Sequence, residues 1–357
     1  MGNKLNVAII FGGKSGEHEV SLMSATNVIN AMDKQKYDVF MIGITKDGVW
    51  MQYDGPVECI QDGSWEKHAK GSVGNPLLDL FFTSMLNNSG KSSIDVVFPV
   101  LHGPYGEDGT IQGLFEVLDI PYVGCGVMGS ALGMDKEFSK ILFKAAGIPV
   151  GPYKVYYKHN INGNVQAVVK DIEQSFEYPI FIKPVNMGSS VGITKAHDRS
   201  ELVMGLIEAC KYDRKVIIEA FINARELECS VLGNNEPEAA CVGEIIPSHE
   251  FYDYVAKYYD GDNSKLVIPA QLPEDKSEEI RALAVKAFKA IDCCGMARVD
   301  MFMDKDTGEI FLNEINTIPG FTKISMYPKL WEAAGVSYSE LIDRLIELAI
   351  ERYNERK

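Results

Sequence analysis

The first third of the chain alternates between unbroken apolar runs and segments with helical spacing. The run NVAIIFGG, residues 6–13, is apolar almost throughout and ends in glycine, which is typical of a parallel strand buried on both faces. Similar runs recur in YDVFMIGIT and IDVVFPVLHG, while VSLMSATNVINAMD and IQGLFEVLD have helical spacing. Strands that alternate with helices in this way predict a parallel α/β layer.

The middle of the chain resumes this alternation after a tract without a clear pattern. From about Asp54 to Lys91 the sequence is polar and rich in glycine and asparagine, and no element can be placed there. GVMGSALGMDKEFSKILFKAAG is predicted to form a helix that ends at Gly147. Apolar runs at YPIFIKP and KVIIEAF follow, with helical spacing between them, so a second α/β unit is expected.

A third unit is predicted to begin near ARELECSVLG. Its segment SEEIRALAVKAFKAI has apolar residues at helical intervals, with Ser277 as the expected N-cap and Gly295 beyond the end. A second amphipathic helix, SYSELIDRLIELAIERY, follows near the end of the sequence. Between these helices, MARVDMFMDKDTGEIFLNEINTIPG indicates a β-hairpin.

Polar side chains interrupt the apolar strands of this hairpin. Side chains alternate between the faces of a strand, so Arg298 and Asp300 share a face of the first strand. Glu314 and Asn316 share a face of the second, and a turn near Asp306 would set Glu314 opposite or diagonal to Asp300. Two carboxylates so close repel unless a cation lies between them, which favours a divalent metal held by carboxylate and amide oxygens. A solvated outer face is the alternative, but the turn-forming NTIPGFT beside Asn316 favours a site.

Two glycine-rich loops are candidates for ligand contact. NMGSSVG, residues 186–192, follows Lys183 between two predicted strands, and its N–H groups could cover phosphate oxygens, although a plain hairpin turn explains it equally well. FGGKSGEHEVS, residues 11–21, joins a strand to a helix, where open α/β sheets bind ligands. It is not a Walker A loop, because the first glycine of that motif would fall on Ala8.

A third glycine-rich segment, GCGVMG at residues 124–129, matches the dinucleotide-binding spacing G-x-G-x-x-G. That motif also needs an acidic residue about 20 positions further on, where this chain has FKAAGIPV. A turn into a helix explains the segment better. A nicotinamide-dependent dehydrogenase is therefore disfavoured, although it stays the rival enzyme class.

Two other stretches combine charged or aromatic residues with loop character. FPVLHGPYGEDGTIQG places His102 among glycines at the end of a buried strand, where a structural and a functional histidine are equally expected. FYDYVAKYYDGDNSK has no clear period and is typical of a long loop that covers an active site, with Lys257 and Tyr258 as its candidate residues.

Composition limits the class of protein. A length of 357 residues predicts two or three domains. The net charge of −15 argues against nucleic-acid binding but allows a local cluster of cations for an anionic ligand. Seven cysteines without a C-x-x-C pair indicate buried thiols in a reducing cytoplasm. We see neither a secretory signal nor an apolar run of about 20 residues, so a cytoplasmic protein without a membrane partner is expected.

Taken together, the motifs resemble those of the D-alanine–D-alanine ligases of the ATP-grasp superfamily. The matching stretches occur in the order and spacing of that family, and they are FGGKSGEHEVSL, LHGPYGEDGTIQG, MDK, FIKPVNMGSSVGI, FYDYVAKY, ARVDMF and LNEINTIPGFT. The resemblance implies an α/β ATP-grasp fold with ATP between two antiparallel sheets. It implies a parallel Rossmann-like domain (1–124), a central ATP-grasp subdomain (125–223) and a C-terminal subdomain (224–357) with a lid loop at about 246–268.

The resemblance also implies a reaction and a role for each matching residue. ATP would phosphorylate the carboxylate of one D-alanine, and the amine of a second D-alanine would attack the acyl phosphate, giving a dipeptide for peptidoglycan. Catalytic roles would fall on Glu17, Ser189, Tyr258, Arg298 and Gly320, and substrate binding on His102, Lys257, Ser325 and Met326. ATP binding would fall on Lys136, Lys183, Ser190, Glu219, Ile222 and Glu226, and two Mg²⁺ or Mn²⁺ ions would be held by Asp300, Glu314 and Asn316. A homodimer is the expected assembly.

Some positions depart from the family pattern, and some alternatives stay open. Ala220 and Ala224 stand where many relatives have lysine and glycine, and Val255 replaces a usual acid. Relatives that accept D-lactate lack the lid tyrosine, present here as Tyr258. The apolar Met326 suits the methyl group of D-alanine, which favours D-alanine as the second substrate. A D-alanine–D-serine ligase is the second hypothesis. A nucleotide-binding module without catalysis is disfavoured, because it would have no need of the oxyanion arginine.

Overall fold

A computed structural model of the chain describes residues 4–71, 94–246 and 265–357. The first sheet comprises β1 (Leu5–Gly12), β2 (Tyr37–Ile44), β3 (Trp50–Tyr53), β4 (Lys70–Gly71) and β5 (Val96–Val100). Its strand order is β4-β3-β2-β1-β5, and β1 runs parallel to both β2 and β5. The parallel layer expected from the apolar runs is confirmed. Two antiparallel strands, β3 and β4, extend it at one edge.

The other two sheets are antiparallel. The middle sheet has the order β6-β9-β7-β8 and comprises β6 (Tyr153–Tyr157), β7 (Ile180–Pro184), β8 (Thr194–Ala196) and β9 (Lys215–Ala220). The third sheet has the order β12-β11-β10-β13-β14. Its strands are β10 (Ala224–Gly233), β11 (Glu238–Ile246), β12 (Lys265–Val267), β13 (Gly295–Asp304) and β14 (Ile310–Asn316).

Helices connect and cover the sheets. The first three are α1 (His18–Ala31), α2 (Glu58–Gln61) and α3 (Thr110–Val117), with a turn of 3₁₀ helix at Ser64–Lys67. The middle of the chain contributes α4 (Val127–Met134), α5 (Lys136–Ala145), α6 (Lys158–Gly163), α7 (Val165–Glu173) and α8 (Arg199–Tyr212). The last three are α9 (Glu274–Ala290), α10 (Met326–Ala333) and α11 (Tyr338–Glu355). None of the helices in the described ranges is long and apolar enough to cross a membrane.

Two helix predictions were wrong in detail. The expected helix up to Gly147 is broken at Asp135, because the side chain of Asp135 accepts hydrogen bonds from the N–H groups of Glu137 and Phe138, both at 3.1 Å, and so starts a new helix. Helix α9 begins one turn before the expected cap at Ser277, directly after Pro273, whose fixed φ suits a helix start.

The apolar core divides the molecule into unequal parts. One core contains residues of the first sheet, such as Val7 and Phe98, together with Leu232 and Met296 of the third sheet and Leu345 of α11. The middle sheet and its helices have a separate core. The first and third sheets therefore pack as one body, and the middle sheet faces the third sheet across a cleft.

The tract that gave no pattern supplies a core residue. Trp65 is fully buried, and its ring packs edge-on against Phe11 at 5.1 Å and Tyr53 at 6.3 Å between ring centroids. Gly43 in β2 lies directly under the indole, since a Cβ there would approach Cζ3 of Trp65 to 2.2 Å. The absence of a side chain at residue 43 makes room for the ring.

We expect Gly43→Ala to lower the free energy of unfolding by about 1–3 kcal/mol, because the added methyl group overpacks the core against Trp65. The matched control is Gly113→Ala in α3, where a Cβ meets nothing within 4 Å and alanine is the better helix former. Denaturant unfolding compares the two variants. Equal stability of both variants would contradict this account of Trp65.

Candidate functional site

The hairpin of β13 and β14 presents its polar residues on one face. Arg298 pairs with Asn316 and Asp300 pairs with Glu314 in the register of the two strands, so the predicted grouping is confirmed. The pairing depends on a β-bulge, because Met301 pairs with Leu312 and Asn313 is the extra residue. Alternation counted from the buried Leu312 would have sent Glu314 to the core side of the strand. The bulge turns it to the face of Asp300.

Close cations and donors balance the charge of this face. Arg298 donates from Nε and Nη2 to the two carboxylate oxygens of Asp300, both at 2.7 Å, and Nδ2 of Asn316 donates to Asp300 Oδ2 at 3.0 Å. Arg298 also lies 2.9 Å from Glu228, a buried residue of β10 that is opposite Asp300 in the register. The sequence reasoning missed Glu228, although its spacing of two from Glu226 in ARELECSVLG places both on one face of a strand.

Helix α5 directs two lysines towards the hairpin. Lys136 Nζ donates to the carbonyl of Met187 at 2.8 Å and lies 3.4 Å from Glu314. Lys140, four residues later and therefore on the same face of the helix, donates to the carbonyl of Asn313 at 3.2 Å. Lys140 is 3 % exposed. It was also missed from sequence, although its spacing from Lys136 was a usable signal.

Glu219 at the end of β9 is shared by two lysines. Its carboxylate lies 2.8 Å from Lys140 Nζ and 2.6 Å from Lys183 Nζ. Burial alone would raise the pKa of Glu219, but the two ammonium groups outweigh it and hold that pKa well below its usual range. Burial likewise opposes the charge of Lys183, yet Glu219 raises the pKa of this lysine. Glu219 and Lys183 are therefore both ionised at neutral pH.

The glycine-serine loop bends over Glu17. Ser189 and Ser190 both adopt left-handed backbone conformations, with φ of 48° and 62°. Ser189 Oγ donates to the carboxylate of Glu17, and a Cβ at Gly188 would lie 2.7 Å from Glu17 Oε2. This contact joins the loop of the middle sheet to the start of α1.

His102 fixes the segment after β14. Its Nδ1 lies 3.0 Å from the carbonyl of Ile318 and its Nε2 lies 3.1 Å from Ser24 Oγ, so both ring nitrogens are hydrogen-bonded. Burial lowers the pKa of His102 to about 4, which keeps the ring neutral. Glu107 accepts from the N–H of Gly103 and Ile318 at 2.7 and 3.2 Å. Burial and the charge of Glu17 raise the pKa of Glu107 to about 8.

The segment from Gly320 to Met326 contains three of the predicted residues. Ser325 Oγ accepts from the N–H of Thr322 at 2.9 Å and would lie 2.7 Å from a Cβ at Gly320, so a larger residue at 320 would displace it. Met326 differs from expectation. Its side chain is 4 % exposed and lies in the apolar core, where its Cε would meet a Cβ at Gly243 at 2.3 Å. The expected apolar contact with a substrate methyl group therefore finds no support in its position.

A cleft of about 380 Å³ between the middle and third sheets brings many of the predicted residues together. Those that line it are Lys136, Lys183, Ser189, Ser190, Glu219, Ile222, Glu226, Asp300 and Glu314. Arg298 and Asn316 continue the same face of the hairpin, while Glu17, His102, Gly320 and Ser325 lie in the neighbouring loops of the first and third units. The predicted residues Lys257 and Tyr258 lie outside the described part of the chain.

The chemistry of this face suits a hard divalent cation. Asp300, Glu314 and Asn316 offer carboxylate and amide oxygens from adjacent strands, the donor set that Mg²⁺ and Mn²⁺ prefer. Within the described ranges no three His, Cys, Asp or Glu side chains converge as a metal cluster. Asp300 and Glu314 are instead paired with Arg298 and Lys136, which shows that this face already attracts cations.

Comparison with known proteins identifies relatives along the chain. Residues 6–125 match the family model described as D-ala D-ala ligase N-terminus, and residues 142–347 match D-ala D-ala ligase C-terminus. A D-alanine–D-alanine ligase of Acetivibrio thermocellus is 55% identical over 370 residues, covering 99% of this chain and 98% of that protein. One of Thermoanaerobacter sp. is 57% identical over 355 residues, with coverage of 99% and 98%.

Solved structures agree with these sequence matches. The D-alanine-D-alanine ligase from Coxiella burnetii is 36% identical with a TM-score of 0.84, covering 99% of this chain and 96% of that one. The VanG D-Ala:D-Ser ligase from Enterococcus faecalis is 40% identical with a TM-score of 0.85, covering 97% and 100%. On these grounds the chain belongs to the D-alanine–D-alanine ligase family, which has the ATP-grasp fold.

Proposed function

We propose that this chain joins two D-alanine molecules at the expense of ATP, through an acyl phosphate, to make the dipeptide used in peptidoglycan precursors. The observation that supports it most directly is the one-sided hairpin. It combines an oxyanion-stabilising arginine with carboxylate and amide oxygens beside a lysine-lined cleft. A carboxylate that attacks a triphosphate must overcome anion repulsion, so positioning and positive charge supply most of the catalysis.

Nucleotide binding is assigned to the cleft. Lys136 and Lys183 would hold the phosphates, with Ser190 in the loop above them. Backbone groups at Glu219 and Ile222 would contact the adenine. Glu226 would bind the ribose, because it lies half-buried on the same strand face as Glu228. The division into domains at residues 124 and 223 is proposed with this assignment, since the middle sheet has a core of its own.

Asp300, Glu314 and Asn316 would hold Mg²⁺ or Mn²⁺, and we propose two ions. Bound there, the metal would neutralise phosphate charge and orient the phosphate to be transferred. For this to happen Asp300 must share its carboxylate between the metal and Arg298, which contacts both of its oxygens. That shared contact would hold Arg298 in place during the reaction.

The remaining residues would handle the amino acids. Glu17, hydrogen-bonded to Ser189, would bind the ammonium group of the first D-alanine, with Tyr258 completing that group. Arg298 and the backbone N–H of Gly320 would stabilise the tetrahedral oxyanion. Ser325 and Lys257 would bind the carboxylate of the second D-alanine. His102, neutral and bonded at both ring nitrogens, would position the segment at Ile318 beside this subsite.

Assembly and location complete the proposal. We propose a homodimer in the cytoplasm that works on small molecules and has no nucleic-acid or membrane partner. The net charge of −15 supports the exclusion of nucleic acid.

The choice of acceptor can be measured directly. Phosphate release from ATP and Mg²⁺ is expected with D-alanine and not with L-alanine, while D-serine and D-lactate should be weak substrates. D-serine is tested as a separate acceptor, because a D-Ala:D-Ser ligase is among the similar structures. If the enzyme prefers D-serine, the second substrate is D-serine and not D-alanine. Release that no D-amino acid stimulates would refute ligase activity.

The role of Arg298 can be tested with a conservative change. Arg298→Lys should lower kcat by about 10²–10³, because a single ammonium cannot bond both oxygens of Asp300 and also reach the oxyanion. Arg281→Lys is the matched control, since Arg281 of α9 donates to the carbonyl of Ala239 instead. Steady-state kinetics should show near wild-type rates for the control. Equal rates for both variants would exclude Arg298 from the chemistry.

A further inference from the structure

Lys140 is a buried cation that is not among the residues assigned to the nucleotide, the metal or the amino acids. It lies in α5 one turn after Lys136, its exposed fraction is 3 %, and Tyr153 covers it with its ring centroid 5.9 Å from Nζ. An ammonium group buried to this degree is costly unless it is paired and hydrogen-bonded. Its partners should therefore indicate what it does.

The partners of Lys140 belong to two different parts of the cleft. Nζ lies 2.8 Å from Glu219 Oε1 at the end of β9 and donates to the carbonyl of Asn313, the bulge residue of β14, at 3.2 Å. The second oxygen of Glu219 contacts Lys183 at 2.6 Å. One carboxylate is thus placed between two ammonium groups, and only Lys183 of the two is expected to contact phosphate.

The net charge of Lys140, Glu219 and Lys183 determines how much positive charge this part of the cleft offers to a ligand. With Lys140 present, Glu219 is neutralised and the trio keeps a net charge of +1 for the phosphates. Without Lys140, Glu219 and Lys183 would form a closed pair of net charge zero. The charge that Lys183 offers to an anionic ligand would then be largely cancelled at close range.

We propose that Lys140 is a positioning residue for nucleotide binding, which occupies Glu219 so that the charge of Lys183 stays available to the phosphates of ATP. The inference rests on the proposed function for the identity of the ligand. Lys140 also lines the cleft, and the role proposed for it acts through Glu219 and Lys183. Its second bond, to the carbonyl of Asn313, supports the bulge that turns Glu314 towards Asp300.

Charge rescue separates this role from a packing role. Lys140→Met keeps the length of the side chain and removes its charge, and it should weaken the binding of Mg-ATP and Mg-ADP about tenfold or more. It should also lower kcat/KM for ATP by up to about 100-fold without a comparable change in KM for D-alanine. Adding Glu219→Gln to Lys140→Met removes the carboxylate that captures Lys183, so the double variant should recover most of the lost affinity. A residue that only fills space would not be rescued by removal of a second charge.

Lys144→Met is the matched control. Lys144 lies one turn further along α5, is exposed, and has its Nζ 4.3 Å from the ring centroid of the same Tyr153, but it has no contact with Glu219 among those described. It should bind nucleotide like the wild type. Calorimetric titration with ATP and ADP in the presence of Mg²⁺ measures each affinity, and thermal unfolding shows whether each variant is folded.

The outcomes distinguish the two proposals. Wild-type affinity in Lys140→Met, or a double variant that binds no better than Lys140→Met, would overturn the role of Lys140. If Lys140→Met does not fold, the double variant carries the test, because it has no carboxylate at position 219 that could capture Lys183. It is expected to fold and to bind ATP, and failure to bind would overturn the inference. Failure of D-alanine to stimulate phosphate release from the wild type would refute the ligase activity and leave the nucleotide titrations interpretable.

Discussion

Asp300 and Glu314 face each other across β13 and β14, and two ionised carboxylates in that position repel unless cations lie close to both. Arg298 donates two hydrogen bonds to Asp300, and Lys136 of α5 lies 3.4 Å from Glu314. The face is therefore a place where positive charge is held in fixed positions before any ligand binds. Such preorganisation is the main source of electrostatic catalysis, because nothing has to be reoriented as charge develops.

The division of the core determines which parts of the site are rigid with respect to one another. The first and third sheets share one apolar core, so the loops that carry His102 and Gly320 belong to the same body as the hairpin. The middle sheet has its own core and contributes Lys183, Glu219 and the glycine-serine loop. Contacts between polar groups, such as Ser189 with Glu17 and Lys136 with the carbonyl of Met187, join the two parts across the cleft. The ligand site therefore lies between the two apolar cores, where contacts between charged and polar groups replace apolar packing.

Period and turn chemistry predicted the parallel sheet and the grouping of polar residues on the hairpin. The antiparallel arrangement of the other two sheets came from the family resemblance, and the bulge at Asn313 was not predicted. Period and turn chemistry failed where a single interaction decides the structure. Asp135 accepts two backbone N–H groups and starts a new helix within a segment that has continuous helical spacing. Met326 looks like a substrate contact in the motif, but β11 has a glycine at position 243 and the side chain enters the core there. The position of Met326 depends on a residue far away in sequence, which spacing along the chain does not contain, whereas the cap at Asp135 is local and is hidden by the continuous helical spacing around it.

The residues missed from sequence show the same limit for charge. Spacing along the chain marks the faces on which Glu228 and Lys140 lie, but their roles depend on partners that become neighbours only through folding, Arg298 for the first and Glu219 for the second. Motifs record the side chains that meet a ligand, whereas the groups that keep those side chains charged and aimed are recorded only in the fold. In an acidic protein of net charge −15 this second set matters more, because an unmatched lysine would be neutralised by some nearby carboxylate. A cleft that binds an anionic ligand therefore needs enough buried cations to pair with its own carboxylates and still keep a net positive charge.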